Sequence, residues 1–446
     1  MPLLNKMRTA LSGSAAGPPR ARSPLTRLRT VLTVFFALDG FLFAGWVVRI
    51  PAIKQQTGAS ASELGLALLG VSAGAVATMM VTGALCRRFG SHLVTVGCAV
   101  LLSLSVLLPP QTHSALTLGL VLLPFGGAYG ALNVAMNSAA VDLVAALRRP
   151  VISSFHAAFS LGGMVGAGLG GLLAGGLSPA VHLALLSAAG LLVSATAGRT
   201  LLRFPAPVTA GTDTADRTGT GTGAGAGAGT GTGAGTGAGT GTGAEKRDPD
   251  GRGPGLRTRR LVALFGVIAL CTAYGEGAMA DWSALHLTQD LDATPGVAAA
   301  GYSLFALTMT AGRLSGTVLV ERLGQTRALV LGGVTAALGM LLGALAPTAW
   351  LALAGFAVAG LGLANIFPVA IGRAGALAGP GGVAAASTLG YGGMLLGPPA
   401  IGFLADWFSL PLALTTVALL AGAAALIAHL ARDASANGPA VHTREG

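Results

Sequence analysis

Twelve stretches of about 20 mostly apolar residues follow one another along this sequence, separated by short polar segments. A helix needs roughly 20 residues to cross the hydrocarbon core of a bilayer, at a rise of about 1.5 Å per residue. Because no water reaches the backbone there, each stretch must satisfy its own hydrogen bonds, which favours helix. The sequence therefore predicts an all-α membrane protein with twelve transmembrane helices. The stretches are residues 30–52, 62–86, 92–110, 114–143, 151–175, 179–202, 259–288, 295–320, 326–347, 349–372, 383–406 and 409–431.

The charge content agrees with a lipid environment and argues against other classes of protein. Charged residues make up 10% of the chain, whereas soluble domains carry about 25%. The net charge of +11 does not indicate nucleic-acid binding, because the basic residues occur in short runs between apolar segments and not on one folded face. The three cysteines, Cys86, Cys98 and Cys271, have no metal-ligand spacing. We therefore expect no metal, no cofactor and no nucleic-acid partner.

The distribution of lysine and arginine predicts the orientation, since these residues concentrate in cytoplasmic loops. With the N-terminus inside, all but three of the 27 fall in predicted inner segments. The exceptions are Arg49, Lys54 and Arg313. Both termini are therefore predicted to be cytoplasmic. The heavy use of alanine, glycine and arginine is typical of a bacterium with a high GC content, so we expect the bacterial inner membrane.

Residues 204–258 interrupt the series of apolar stretches and divide it six and six. They contain a repeat of threonine, glycine and alanine from Thr218 to Ala244, and such tracts behave as flexible coil. We predict a basic cytosolic tail over residues 1–29, a six-helix bundle over 30–203, a cytosolic linker over 204–258, a second six-helix bundle over 259–431, and a cytosolic tail over 432–446.

The two halves of the sequence repeat each other in three places and in the same order. The matching segments are residues 83–90 with 317–324, 130–133 with 362–365, and 162–164 with 392–394. Their separations are 234, 232 and 230 residues. Three matches in register predict a duplicated six-helix unit, with two bundles related by pseudosymmetry about the membrane normal.

The loop after the second stretch resembles a motif of the major facilitator superfamily, which has a glycine, three residues, an aspartate and then Arg-x-Gly. Gly83, Arg88 and Gly90 match it, while Arg87 stands at the aspartate position. The resemblance implies a transporter of two six-helix bundles, in which the acid caps a helix and pairs with basic groups at the cytosolic gate.

The second-half copy of this motif keeps the acid. Glu321 stands at the aspartate position and Arg322 follows it, so the resemblance implies that the capping role belongs to Glu321. Arg313 precedes the motif near the inner end of the eighth stretch. We assign these residues, with the first-half motif, to a cytosolic gate.

Further stretches are similar to an uncharacterised bacterial branch near the fucose permeases. They are Trp-Val-Val-Arg-Ile-Pro at residues 46–51, Ser-Ser-Phe-His-Ala-Ala-Phe-Ser at 153–160, and Glu-Gly-Ala-Met-Ala-Asp-Trp-Ser at 276–283. With the loop motifs, the resemblance covers most of residues 30–431 except the linker. It implies uptake of a polar solute such as a sugar.

One motif points towards export instead. The glycines Gly162, Gly166, Gly170 and Gly171 resemble the fifth-helix motif of drug–proton antiporters, with Ala167 where that family has proline. Small residues at this spacing also allow two helices to pack closely, as in Gly-x3-Gly pairs. We favour the packing interpretation and keep export as the alternative.

Two acidic residues lie deep inside predicted helices. Asp39 is about nine residues into the first stretch, and Glu276 lies at least as deep in the seventh. An ionisable residue at such depth is unfavourable by about 2.5–3.5 kcal/mol on insertion scales, so it marks a functional site or a structural pair. We predict that Glu276 and Asp39 bind protons or substrate.

Two opposite charges lie near the predicted outer ends of the first and seventh helices. These are Arg49 and Asp281, and an arginine–carboxylate pair between the bundles would hold the outer mouth closed. Alternatively, each charge reaches separately to water. We predict the pair as an outer gate.

Amide and imidazole side chains lie at similar depth in the two halves. Asn133 and Asn137 are four residues apart and share one helix face, His156 lies early in the fifth helix, and Asn365 mirrors Asn133. Facing one cavity, these groups would bind a hydroxyl-rich solute as donors and acceptors. Alternatively, they form interhelical hydrogen bonds, or for His156 a packed structural contact.

These features together predict a monomeric secondary transporter of a small solute, coupled to protons and working by alternating access. A membrane enzyme would need a concentrated catalytic constellation, and a non-transporting sensor would suit an apolar cavity without these polar groups. The chain lacks the Gly-x4-Gly-Lys-[Ser/Thr] sequence of ATP-binding loops.

Overall fold

The computed structural model describes residues 24–147, 151–204 and 255–432. In these ranges the chain forms fourteen α-helices and a short 3-10 turn at Pro109–Gln111. The helices are α1 (Pro24–Val47), α2 (Ile50–Thr57), α3 (Ala61–Phe89), α4 (Ser91–Ser105), α5 (Ala115–Leu147), α6 (Ile152–Ala174), α7 (Pro179–Leu202), α8 (Leu256–Gln289), α9 (Pro295–Leu314), α10 (Gly316–Leu323), α11 (Gln325–Ala344), α12 (Ala349–Leu363), α13 (Ile366–Trp407) and α14 (Leu410–Leu430).

The helices confirm the predicted all-α membrane architecture of twelve spans in two six-helix bundles. Ten helical segments of the described ranges are long and apolar enough to cross a membrane. Helix α9 and the later part of α13 supply the two other predicted spans. The predicted terminal tails and linker fall largely outside the described residues, so the domain limits stay predictions.

The tenth and eleventh spans are joined without the loop that the sequence suggested. Helix α13 contains a break at Ala378 and Gly379, where the backbone leaves helical geometry. Gly379 has φ of 59°, a left-handed value that glycine adopts without a steric penalty. The break lets the chain reverse at the membrane surface, so the first part of α13 completes the tenth span.

The surface of the molecule carries many large apolar side chains. Leu116, Leu172 and Leu419 are at least 70% exposed, and leucines of other helices are exposed as well. A water-soluble protein rarely leaves such extensive apolar area uncovered. These side chains form the lipid-facing surface of a multi-pass membrane protein.

Helices α1–α7 form the N-terminal bundle and α8–α14 the C-terminal bundle. The bundles meet along two main helix pairs, α3 with α13 and α6 with α9. We call the face where α1 and α8 begin and α7 and α14 end the terminal face, and the other the opposite face. At the opposite face Gly65 packs against the backbone of Pro398, and Gly171 packs against Gly296.

Glycines also bring helices into close contact inside each bundle. Gly162 and Gly166 of α6 lie against the backbone of α1 at Ala37 and Phe41. A side chain at either glycine would overlap a carbonyl oxygen of α1. This contact supports the packing interpretation of the fifth-helix motif, since small residues permit helices to approach where lipid supplies no hydrophobic drive.

Substitution of Gly162 by alanine is expected to destabilise the N-terminal bundle by about 1–3 kcal/mol, the usual effect of overpacking. The matched control is Gly168→Ala on the same helix, because a Cβ at Gly168 meets no atom within 4 Å. Thermal unfolding of the purified protein in detergent measures both. Equal melting temperatures for the two variants would contradict the assignment of Gly162 to a helix contact.

Candidate functional site

A cavity lies between the two bundles near the middle of the membrane. Helices α1, α5 and α6 line it from the N-terminal bundle, and α8, α9 and α13 line it from the C-terminal bundle. About 800 Å³ of space lies between its lining atoms, including the part open to solvent. We call it the central cavity.

The charged side chains of the central cavity form one ion pair. Arg313 Nη2 of α9 lies 2.9 Å from Glu276 Oε1 of α8, and the two side chains are 16% and 18% exposed. Arg313 Nε also donates to the carbonyl of Ala364, at 3.2 Å, where the chain passes from α12 to α13. This second contact holds the guanidinium in place from the backbone side.

The position of Arg313 corrects its predicted assignment to the cytosolic gate. Side chains of a helix point back towards its N-terminus. Helix α9 runs from the opposite face towards the terminal face, so the long side chain of Arg313 extends back towards the membrane centre, where Glu276 lies. Charge attraction in a low-dielectric environment favours this arrangement.

Aromatic rings form much of the cavity wall and connect the bundles. Phe43 of α1 stacks on Tyr129 of α5 with ring centroids 4.9 Å apart. Phe43 also contacts the edge of Tyr302 of α9 at 6.4 Å. About two turns after Tyr302 on α9, the Thr310 hydroxyl donates to Ser160 Oγ at 2.8 Å, again from one bundle to the other. The cavity therefore offers flat apolar surfaces beside a few hydroxyl groups.

Asp39 lies next to the cavity-lining Gly40 but is itself fully buried, with 0% exposure. Neither of its carboxyl oxygens has a hydrogen-bond partner among the described residues. A buried carboxylate without a partner is strongly unfavourable, whereas the protonated form is tolerated.

The predicted amide and imidazole groups occupy other positions. Asn137 Nδ2 donates to the backbone carbonyl of Asn133 at 2.8 Å, which confirms that they share a face. Asn365 Nδ2 donates to the carbonyl of Gly312 at 2.9 Å. His156 lies edge-on to Phe36, 5.5 Å between ring centroids. These four predicted side chains are not among those that line the central cavity.

Arg49 does not pair with Asp281 in this structure. Its Nε donates to His182 Nδ1 at 2.8 Å, and its terminal nitrogens donate to the carbonyls of Leu173 and Ala174 at 3.4 Å. These carbonyls end α6, where a cation is favourable because of the helix dipole. Arg49 therefore links the junction of α1 and α2 to helices α6 and α7 of the same bundle. The described residues contain no Arg49–Asp281 ion pair.

The loop motifs lie at the terminal-face ends of α3 and α10. Gly90 and Gly324 have φ of 84° and 78°, so both copies turn the chain through a left-handed glycine. The charged motif residues are exposed, and no ion pair among the described residues involves them. These charged residues are Arg87, Arg88, Glu321 and Arg322. Gly83 lies one and a half turns before the end of α3 and is partly buried.

Asp406, at the opposite-face end of α13, is a functional candidate that was not among the residues predicted from the sequence. Its carboxylate accepts hydrogen bonds from the backbone N–H groups of Ala61 and Ser62 at 2.9 and 2.8 Å, and from the Ser62 hydroxyl. It thus caps the first turn of α3 in the other bundle, beside the capping box formed by Ser60 and Glu63. The capping box is readable from the sequence, but a partner more than 340 residues away is not.

Comparisons with known proteins agree with this architecture. The profile of the Major Facilitator Superfamily matches residues 30–270 and 264–445. An uncharacterized MFS-type transporter of Yersinia pestis is 31% identical over 93% of this chain and 97% of its own length. An uncharacterized transporter of Sinorhizobium fredii is 32% identical over 88% and 95%.

Solved structures share the fold at low sequence identity. The nucleoside transporter NupG superposes with a TM-score of 0.65 at 15% identity, covering 92% of this chain and all of that one. A bacterial homolog of the human lysosomal transporter Spinster, in an inward-facing and unoccupied conformation, gives 0.66 at 14% identity, with 92% and 97% covered. The matched profile spans both bundles, and the chain belongs to the Major Facilitator Superfamily.

Proposed function

We propose that this protein is a proton-coupled secondary transporter that moves a small polar solute by alternating access. The observation that carries the proposal is the Glu276–Arg313 ion pair in a cavity that both bundles line. A site at the midplane between two repeats suits a carrier, because rocking of the bundles exposes it to one side and then to the other.

The contacts at the opposite face support such a cycle. Asp406 joins the end of α13 to the start of α3, and the glycine contacts Gly65–Pro398 and Gly171–Gly296 lie near the same face. The bundles are therefore packed together at this end. Opening the cavity towards the opposite face requires all of these contacts to separate.

The proton-binding role is proposed for Glu276, with Asp39 as the second candidate. Glu276 lines the cavity and contacts Arg313. A change in the protonation of Glu276 therefore changes the net charge of the site where a solute would bind. Asp39 is buried beside the cavity without a partner. Among the described cavity-lining residues, Glu276 is the one carboxyl group.

For the membrane and orientation we propose the bacterial inner membrane with both termini in the cytosol, as the charge distribution predicts, and a monomeric carrier. Export of drugs or metabolites remains the alternative to uptake. The fifth-helix glycine motif supports export less strongly, because contact with α1 explains the small residues Gly162 and Gly166. A non-transporting sensor is less favoured, since the cavity holds a charged pair.

Replacement of Glu276 by glutamine is expected to abolish solute accumulation driven by a pH gradient while leaving exchange of solute across the membrane. At one proton per solute, a gradient of one pH unit drives about tenfold accumulation, because each unit is worth about 1.4 kcal/mol. The measurement is a solute screen in proteoliposomes with an imposed gradient. Asp39→Asn is tested in parallel, and coupled transport that survives in Glu276→Gln but not in Asp39→Asn would move the proton site to Asp39.

Replacement of Asp406 by asparagine is expected to shift the protein towards opening at the opposite face. Asparagine keeps one acceptor oxygen but loses the charge, and a hydrogen bond to a charged group is worth about 1 kcal/mol more than a neutral one, which corresponds to about a fivefold change in population. Spin labels at Leu116 of α5 and Trp350 of α12, in a background without the native cysteines, report the distance between the bundles. The control is Ser409→Ala, which removes a cap inside one bundle only. An unchanged distance distribution in Asp406→Asn would show that this contact does not hold the bundles together.

A further inference from the structure

We propose that the central cavity binds a monovalent organic anion with a flat ring, and that each anion enters with one proton on Glu276. This inference rests on the proposed transport function and names the chemical class of its substrate. It departs from the sugar-like solute that the sequence favoured, since the asparagines and His156 do not line the cavity.

The charges of the cavity lining define which ligands it accepts. Arg313 is the one cation and Glu276 the one anion among the described residues that line it. The remaining lining side chains are apolar, aromatic or hydroxyl-bearing. A charged ligand can therefore form an ion pair in the cavity only by taking the place of Glu276 or of Arg313.

Arg313 is the fixed member of the pair. Its Nε is anchored on the Ala364 carbonyl, which leaves the terminal nitrogens as the part of the fork that faces Glu276. Two of the five guanidinium N–H groups have acceptors among the described residues. A carboxylate ligand can accept from the others, and arginine favours bidentate contact with such groups. Arginine also keeps its charge at any physiological pH.

Electroneutrality then couples the anion to the proton. Without ligand, ionised Glu276 neutralises Arg313. If Glu276 takes up a proton, Arg313 is left without its counter-ion in a mostly buried position, which is unfavourable. A monovalent anion restores neutrality. The two favourable states are thus an empty cavity with ionised Glu276, and an occupied cavity with protonated Glu276 and a bound anion.

Other titratable groups surround this pair and do not replace it in the exchange. They are Tyr302 on α9, Tyr129 on α5, Asp39 on α1, His156 on α6 and Asp281 on α8. The two tyrosines line the cavity as neutral phenols, and the other three lie outside its lining. The charge on Arg313 is compensated by contact with Glu276 alone among the described ion pairs.

The aromatic wall indicates the shape of the anion. Phe43 and Tyr129 stack with an interplanar angle of 23°, and Tyr302 and Phe305 form a second, looser stack at 6.4 Å. Flat rings bind against such faces by offset stacking. The hydroxyl oxygens of Ser160 on α6 and of Ser303 and Thr310 on α9 also line the cavity and can accept hydrogen bonds from ring substituents.

The test measures binding to the purified full-length protein with ligands that share a ring and differ in charge. The anions are benzoate, nicotinate and indole-3-acetate, and the matched neutral ligands are their amides. Benzylamine is the cation. Isothermal titration in two buffers of different ionisation enthalpy gives affinity and the number of protons taken up. We expect an anion to bind at least about tenfold more tightly than its amide, with about one proton taken up per anion on the alkaline side of the Glu276 transition.

Two variants separate the anion site from the proton site. Arg313→Gln is expected to lose the preference for the anion over its amide. Glu276→Gln is expected to keep anion binding but to lose proton uptake. In the unmodified protein, uptake of one proton makes the affinity for the anion fall about tenfold per unit of rising pH on the alkaline side, and this dependence disappears in the variant. Thermal unfolding of each variant reports folding independently of binding.

Tighter binding of an amide or of benzylamine, no binding of any anion, or loss of anion binding in Glu276→Gln would each overturn the inference. Its failure is distinguishable from failure of the transport proposal. Gradient-driven flux of neutral solutes alone would overturn the anion class and uphold transport. Proton-linked anion binding without flux in proteoliposomes would uphold the anion site and overturn transport.

Discussion

Helices in a bilayer gain little free energy from burying apolar surface against one another, because lipid tails are as apolar as leucine. Their association depends on close van der Waals contact and on a few polar bonds, and this constraint explains where the glycines of this chain lie. Gly162 and Gly166 allow α6 to touch the backbone of α1, and Gly393 does the same for α13 against Leu270 of α8. Gly393 is next to the position that corresponds to Gly162 in the duplicated half, so each bundle is built around the same type of contact.

In the same environment a buried charge is unfavourable unless it is paired. The few buried charges of this chain therefore mark positions with a specific polar contact. Arg49 donates to the carbonyls at the end of α6, inside the N-terminal bundle. Arg313 and Glu276 form an ion pair in the central cavity, and Asp406 of one bundle caps helix α3 of the other. The first is a structural contact within one bundle. The second lies in the cavity that both bundles line, and the third joins the two bundles at the opposite face. Asp39 lacks such a contact, since neither oxygen of its buried carboxyl group has a partner among the described residues.

Periodic and local features of this protein were predictable from its sequence, whereas contacts between distant side chains were not. The apolar stretches gave the spans because length and hydrophobicity suffice to define a membrane helix. The paired glycines at 90 and 324 recur as left-handed turns in both halves. The Arg49–Asp281 pair was not found, because depth in the membrane says nothing about which neighbour a side chain faces. Arg313 was placed too near the surface, because its side chain extends back along α9 by a distance that residue counting ignores.

Alternating access requires the two bundles to move around the central cavity, and a reversible lock at the opposite face tests this movement most directly. Ser62 and Asp406 are in contact between the bundles, so cysteines at both positions, in a background without Cys86, Cys98 and Cys271, can form a disulfide there. Solute flux into proteoliposomes is then measured before and after oxidation and again after reduction. If the bundles must separate at this face during transport, flux stops in the oxidised protein and returns on reduction, while each single-cysteine protein is unaffected by oxidant. Undiminished flux through the locked protein would contradict transport by alternating access through this cavity.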